Sequence, residues 1–167
     1  MFAVGDYVVK SNTGICRVED IVPLDMHGDG EKQYYVLLPI DDARAKLFVN
    51  VDADKTKVRA VMTKDDAFDF ISKMEDVRAV WISNDKLREQ KYKEAFRSNE
   101  PEAILGVIKN LHLRGQARIA EGKKIAATDE KYFRMAEQAL YSELSFALEL
   151  NREDVLALIK ETNEGGK

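Results

Sequence analysis

The hydrophobic pattern of the chain changes its period once, close to residue 62. Before that point, short runs of β-branched and aromatic residues alternate with turn residues; after it, apolar residues recur every three or four positions. The first pattern is typical of strands and the second of amphipathic helices. We therefore predict an α+β protein of two domains, residues 1–63 and 64–167.

The first domain is predicted to contain five short strands. Turn residues separate the strands, and in Asn12-Thr13-Gly14 the asparagine and glycine tolerate positive φ angles. Five closely spaced strands with turn signals between them indicate a small antiparallel β-barrel. The predicted strands cover residues 7–9, 15–18, 34–38, 47–51 and 58–61.

The second domain is predicted to be an all-α bundle. Thr63-x-x-Asp66 matches a capping box, and Asn99, followed by Pro101, is predicted to begin a later helix. Further helices are expected over residues 85–97, from near Asp129 and from Asn151, with a frayed tail at 164–167. The apolar stripes include Phe68, Ile71 and Met74, then Ile104, Leu105, Ile108, Leu111 and Leu113, then Phe133, Ala136, Leu140 and Leu144.

Charge is distributed unevenly along the chain. The net charge is −4, yet residues 85–124 carry 10 basic and 6 acidic side chains. An acidic total disfavours a nucleic-acid binder, because phosphate neutralisation dominates such binding. The local excess is read either as an ordinary solvated helix surface or as a phosphate-facing patch. The patch would consist of Lys86, Arg88, Lys91, Lys93, Arg97, Arg114, Arg118, Lys123 and Lys124.

The chain offers little for catalysis, metal binding or membrane insertion. His27 and His112 are not spaced as a metal pair, and Cys16 lies in a predicted strand, where a buried inert thiol is expected. No apolar run approaches the roughly 20 residues of a membrane helix, and no signal peptide is recognised. We expect a cytoplasmic protein that is not an enzyme, with no cofactor, metal or small-molecule substrate.

The single tryptophan, Trp81, precedes the basic region and has two interpretations. It fills the junction between the two domains, or it acts as an aromatic wedge against DNA, as in minor-groove binders.

Several segments together resemble the CarD family of bacterial transcription regulators. The opening 2–9, the segment 12–18, Gln33-Tyr34-Tyr35-Val36-Leu37 and 49–52 are similar to the family's N-terminal half. Tyr92-Lys93-Glu94-Ala95, the 104–113 helix, Gly122-Lys123-Lys124 and 136–144 are similar to its C-terminal half. The resemblance covers nearly the whole chain, and its specificity lies in the order and spacing of the segments.

This resemblance implies a Tudor-like or SH3-like barrel that binds the β subunit of RNA polymerase. The helical domain would contact promoter DNA at the upstream edge of the melted region and stabilise the open complex, in association with the nucleoid. Polymerase contacts are expected at Arg44, Lys46, Phe48 and Asn50. DNA contacts are expected at Trp81, Lys86, Arg88, Lys91, Arg97, Arg114, Arg118, Lys123 and Lys124.

The chain departs from the better-known branch of that family at three places. That branch has a tryptophan where alignment on Ser98–Asn99 puts Asp85, so Trp81 stands four residues earlier. The polymerase-facing strand of that branch has an arginine near the position of Phe48, and the family often has Tyr-Pro where this chain has Lys10-Ser11.

Two other classes of function are kept as alternatives. One is a protein-only adaptor whose barrel binds a different partner and whose helices mediate self-association; the other is a small enzyme, which would need a deep cleft with convergent polar groups. We expect a monomer, with dimerisation through an exposed edge strand as the alternative.

Overall fold

A computed structural model describes residues 1–165 and divides the chain into two compact units, Met1–Val61 and Met62–Lys167. The division lies two residues before the predicted boundary. The Met62 amide donates a hydrogen bond of 2.9 Å to the carboxylate of Glu143, and Thr63 caps the first helix. Both residues therefore belong to the helical unit.

The first unit is a five-stranded antiparallel sheet, and all five predicted strands are present. The sheet order is β4-β3-β2-β1-β5, so β4 and β5 are its two edges. The predicted barrel is thus an open, barrel-like sheet that does not close, whereas the predicted fold class is confirmed. The strands are β1 Tyr7–Lys10, β2 Gly14–Leu24, β3 Lys32–Pro39, β4 Leu47–Asn50 and β5 Val58–Ala60.

One face of the sheet forms the core of the first unit. Val8 lies opposite Cys16, and Tyr35 lies opposite Val49, so these side chains share a face and pack together. The predicted burial of Cys16 is confirmed, and burial raises the pKa of its thiol to about 11. At neutral pH this cysteine is therefore a protonated, apolar core residue.

The turn and the long second strand both depend on special backbone geometry. Asn12 and Gly14 adopt φ angles of 63° and 109°, as the Asn-Thr-Gly turn requires. In β2, the register shifts between Val18 and Asp20, which marks a β-bulge. Beyond this bulge the strand continues to Leu24, six residues past its predicted end.

The second unit is built from five helices. They are α1 Lys64–Ser72, α2 Arg88–Ser98, α3 Pro101–Ala120, α4 Ala127–Leu148 and α5 Arg152–Gly165. Short 3₁₀ turns occupy Met74–Asp76 and Asp85–Leu87. Of the tail predicted to fray, residues 164 and 165 lie within α5, and residues 166 and 167 lie outside the described residues.

Two predicted helix starts are confirmed and one is wrong. Thr63 and Asp66 form a complete capping box, and Asn151 Oδ1 accepts a hydrogen bond of 2.8 Å from the Asp154 amide. Asn99, by contrast, ends α2 with a φ angle of 58°. Asparagine tolerates this left-handed conformation, and α3 then begins at Pro101.

The helical core follows the predicted stripes with two exceptions. Phe68 is 45% exposed, because the short α1 buries Ala67 and Ile71 instead. Leu113 is 61% exposed, and it lies outside the buried stripe of α3. The confirmed core residues include Ile71, Met74, Ile104, Leu105, Ile108, Leu111, Ala136, Leu140 and Leu144.

Candidate binding surfaces

Residues 77–82, called the linker segment below, run along α3 without regular secondary structure. The Val80 amide donates to the Gly106 carbonyl oxygen at 3.0 Å, and the Asn110 side-chain amide donates to the Val80 carbonyl oxygen at 3.1 Å. A β-carbon at Gly106 would lie 3.2 Å from the carbonyl oxygen of Arg78. The absence of a side chain at Gly106 therefore permits this close approach, and α3 supplies hydrogen-bond partners for backbone groups of the linker segment.

Two more contacts hold the linker segment in place. The ammonium group of Lys109 donates to the Met74 carbonyl oxygen at 2.6 Å and also to that of Val77. Asn110 Oδ1 accepts a hydrogen bond of 2.8 Å from the Tyr92 hydroxyl. Burial raises the pKa of Tyr92 to about 12, so the hydroxyl keeps its proton. The segment is consequently tied to α2 as well as to α3.

The Trp81 side chain extends from the linker segment. Val80 and Ile82 pack against the helical core, whereas the Trp81 side chain is 79% exposed. Trp81 is therefore not part of the core of the helical unit. The chain therefore presents a large aromatic ring to solvent on a backbone that hydrogen bonds restrain.

A buried carboxylate lies behind the predicted basic patch. Asp129, in the first turn of α4, is 2% exposed. Its Oδ1 lies 3.2 Å from Arg88 Nε and its Oδ2 lies 3.3 Å from Arg114 Nε. A terminal nitrogen of Arg114 also lies 2.8 Å from Asp85 Oδ1. This network joins α2, α3 and α4.

Arg88 and Arg114 therefore have a structural role that the sequence does not reveal. Burial by itself would lower the pKa of Arg114, but its hydrogen bond to Asp129 and the Asp129 charge outweigh that effect and raise it. Each arginine keeps about a quarter of its side chain exposed. Both can still present part of a guanidinium group to a phosphate.

Most of the predicted patch forms a continuous series. Asp129 brings Arg88 and Arg114 together, and Arg118 lies one helical turn beyond Arg114 on α3. Arg118 Nε donates a hydrogen bond of 2.7 Å to the carbonyl oxygen of Lys124. The series thus runs from the start of α2 to the loop after α3. Lys86 directly precedes α2, Lys91 lies about one turn after Arg88, and Lys123 is the neighbour of Lys124 in the chain.

Arg97 does not join this series. It lies nine residues after Arg88 in α2, which is about two and a half turns at 3.6 residues per turn. Arg97 therefore points to the opposite side of the helix. Its Nε donates to the Lys93 carbonyl oxygen at 3.4 Å.

Several of the remaining cations are paired at the surface. Lys91 lies 3.6 Å from Glu94, and Lys123 lies 3.2 Å from Glu121, with these side chains about half exposed. Such pairs contribute little and can exchange partners. Within residues 1–165, Lys86, Lys124 and Arg78 have no ion pair, and all three are exposed. Arg78 is a candidate that the sequence analysis missed.

In the first unit, the residues predicted to contact polymerase lie on the edge strand β4 and in the loop before it. Phe48 is 44% exposed, whereas its neighbour Val49 faces the core. Because side chains alternate along a strand, Phe48 and Asn50 share the outer face. Lys46 lies just before β4 and 3.8 Å from Glu19, and Arg44 is exposed in the preceding loop. These four residues, Arg44, Lys46, Phe48 and Asn50, are called the docking strip below.

Comparison with protein-family models gives two matches that together cover most of the chain. Residues 2–62 match the CarD-like/TRCF RID domain, and residues 69–160 match the CarD C-terminal domain. The chain belongs to the CarD-like family. No curated protein matches it. The order of the two matched domains is the order of the two units described above.

CarD-like proteins are RNA polymerase-interacting transcription regulators, and the family is not enzymatic. In the part of this CarD-like chain that the structure describes, His, Cys, Asp and Glu side chains form no group that could hold a metal ion. None of the described helices is long and apolar enough to cross a membrane.

The residues that sequence reasoning missed in this CarD-like protein are chiefly acidic. Asp129 precedes Tyr132 and Ala136 at helical spacing, so it occupies a position on the apolar stripe of α4. A carboxylate on such a stripe is a signal of a buried ion pair. Asp85 accepts a hydrogen bond of 2.8 Å from Arg114.

A pair of glycine substitutions in α3 tests the support of the linker segment. Both Gly106→Ala and Gly115→Ala gain about 1 kcal/mol of helix propensity. At Gly115 the new methyl group meets only the flexible end of Ile125, at 3.3 Å, whereas at Gly106 it meets hydrogen-bonded backbone. We expect G115A to be as stable as the parent or more stable, and G106A to lose about 1–3 kcal/mol.

Urea unfolding measures these changes, and the emission of the single tryptophan reports displacement of the segment. Equal stability of both variants with unchanged emission would show that Gly106 does not hold the linker segment.

Proposed function

We propose that the protein binds the β subunit of RNA polymerase through its first unit and promoter DNA through its helical unit, and that it stabilises the open promoter complex. The observation that carries the DNA half is Trp81, an exposed ring on the restrained linker segment, which precedes the cations of α2 in the chain. The polymerase half rests on the match of residues 2–62. The upstream edge of the melted region is the proposed site of DNA contact.

The physical requirement for an aromatic wedge supports this assignment. Insertion against a base step costs unstacking energy, and a ring on a flexible loop would also lose conformational entropy. Hydrogen bonds that Val80 donates to Gly106 and that Asn110 and Lys109 donate to the linker segment already restrain the backbone on which Trp81 stands. The conformational entropy of this backbone is therefore lost when the protein folds, and little more would be lost when it binds DNA.

The proposed mechanism is linkage and involves no reaction. A protein that binds the open complex more tightly than the closed complex shifts the equilibrium towards the open form by the difference in binding free energy. Trp81 would supply that difference, because a wedge fits unstacked bases better than an intact duplex. The cations would add affinity for phosphate in both states. This role takes place in the cytoplasm, at the nucleoid.

Charge reversal in the docking strip tests polymerase binding. We expect Arg44→Glu and Lys46→Glu each to weaken binding of the full chain to the isolated β-subunit lobe about threefold to tenfold, because both exposed cations would become repulsive. Fluorescence anisotropy with a labelled lobe measures the dissociation constants. Lys160→Glu, an equal charge change in α5, is the matched control.

If the unmodified chain does not bind the lobe, the polymerase assignment fails. The adaptor alternative would then lead.

Replacement of Trp81 tests the wedge. Because the ring is largely exposed, Trp81→Ala should change the free energy of unfolding by less than about 0.5 kcal/mol. The lifetime of open complexes challenged with a competitor should nevertheless fall severalfold. Trp81→Phe should recover part of the lifetime, since it restores a smaller ring. A large loss of stability with unchanged open-complex lifetime would contradict the wedge.

Substitution of Lys86, just before α2, and of Arg88, its first residue, distinguishes phosphate contact from structural pairing. Lys86→Ala removes an exposed charge, so DNA affinity should fall and the slope of log K against log salt should decrease by about 0.9. Arg88→Ala also removes a partner of buried Asp129, so we expect it to cost about 1–3 kcal/mol of stability as well. Salt titrations and urea unfolding measure both quantities.

Unchanged salt dependence in both variants would argue against direct phosphate contact. The acidic net charge of −4 would then favour a partner that is a protein and not DNA.

A further inference from the structure

The first unit contains a groove whose chemistry the proposed function does not use. Its volume is about 600 Å³, and residues from β1, β3, β4 and three loops line it. This volume falls within the range of small-molecule sites. Its polar lining includes Lys10, Lys32, Lys57, His27 and Asn50.

The groove is basic although the surrounding sequence is acidic. Residues 1–61 carry 8 basic and 10 acidic side chains, yet among the described residues the lining includes three lysines and no carboxylate. The three lysines come from separate parts of the chain, since Lys10 is in β1, Lys32 begins β3 and Lys57 precedes β5. The fold thus gathers cations that are distant in sequence.

Three acidic residues of the loops at 25–31 and 51–57 are occupied by local contacts. Asp25 accepts a hydrogen bond from the Gly28 amide at 2.7 Å, and Asp54 accepts one from the Thr56 amide at 3.0 Å. Asp29 pairs with Lys32 at 2.9 Å, where both side chains are about half exposed. A surface pair of this kind contributes little, so Lys32 can turn towards a stronger anion.

The groove also contains an aromatic surface. Phe48 lines it with much of its ring exposed, and Tyr34, directly opposite Asn50 in the sheet, lines it as well. Asn50 Oδ1 accepts a hydrogen bond of 2.8 Å from the Asp52 amide, which leaves the Asn50 amino group as a donor. A ring, an amide donor and three ammonium groups together match a flat heterocycle that carries several phosphates.

We infer that this basic groove binds a nucleoside polyphosphate, with the phosphates among Lys10, Lys32 and Lys57 and the base against Phe48. A groove of about 600 Å³ has the size of a small-molecule site, which favours a compact polyphosphate over an extended acidic peptide. The binding step does not depend on the proposed function. Its consequence does, because Phe48 and Asn50 belong to both the groove and the docking strip, so an occupied groove would compete with polymerase docking.

Titration of the ¹⁵N-labelled full chain tests binding, with ATP, inorganic triphosphate, adenosine and a hexaglutamate peptide as probes in magnesium-free buffer. ATP should shift the amide resonances of groove residues, with a dissociation constant of about 1 mM or tighter. Triphosphate should bind at the same residues more weakly, and adenosine should bind more weakly still. Phe48→Ala should weaken ATP binding and leave triphosphate binding unchanged.

Lys10→Glu and Lys57→Glu should each weaken ATP binding about tenfold, because an attractive charge becomes repulsive at short range. Lys55→Glu makes the same charge change in the loop beside the groove at a residue that does not line it, and it should have a much smaller effect. The dispersion of the amide spectrum checks that each variant is folded.

Three results would overturn the inference. They are no shifts at millimolar ATP, shifts that neither lysine reversal weakens, and binding of hexaglutamate without binding of triphosphate. The last result would assign the groove to an acidic protein segment. Because no probe contains polymerase, a negative result here would not count against polymerase docking. Equally, a failure of polymerase docking would not count against nucleotide binding by the groove.

Discussion

The helical unit depends on one buried carboxylate. Asp129 is almost inaccessible, and a carboxylate in such a place costs several kcal/mol unless charged partners compensate it. Arg88 supplies one guanidinium group from α2 and Arg114 supplies the other from α3. The position of Asp129 in the first turn of α4 adds the favourable field of a helix N-terminus. Three helices must therefore meet at one point for the charge to be stable there.

Neighbouring polar contacts extend this constraint to the linker segment. Tyr132, three residues after Asp129, donates a hydrogen bond of 2.8 Å to Glu89 in α2, and this bond lowers the pKa of that carboxyl. Tyr92 in α2 bonds to Asn110, which in turn bonds to the backbone of Val80. Contacts among α2, α3 and α4 thus lead from the helices that surround the buried charge to the backbone that carries Trp81. Loss of Asp129 would loosen the proposed DNA surface without any change in its own residues.

The local parts of this fold could be predicted from sequence, and the long-range parts could not. The capping box at Thr63 and the Asn12–Gly14 turn depend on residues within one turn of each other, and both were predicted. The long β2 was underestimated, because its bulge at Val18–Asp20 interrupts the alternation of side chains. The Asp129 network was missed, since its partners lie 41 and 15 residues away in sequence. Trp81 could be singled out, but its exposure depends on Gly106 in a later helix.

Because several basic residues form ion pairs within the protein, the number of basic residues overstates the charge available for DNA binding. Nine cations form the predicted patch, yet Arg88 and Arg114 neutralise buried or nearby carboxylates and others pair at the surface. The 6 acidic side chains of residues 85–124 also oppose phosphate binding, so the affinity of the helical unit for duplex DNA should be weak at physiological salt. On the proposed function, weak contact is an advantage. Polymerase docking raises the effective concentration of the helical unit at the promoter, and selectivity then comes from simultaneous engagement of both units.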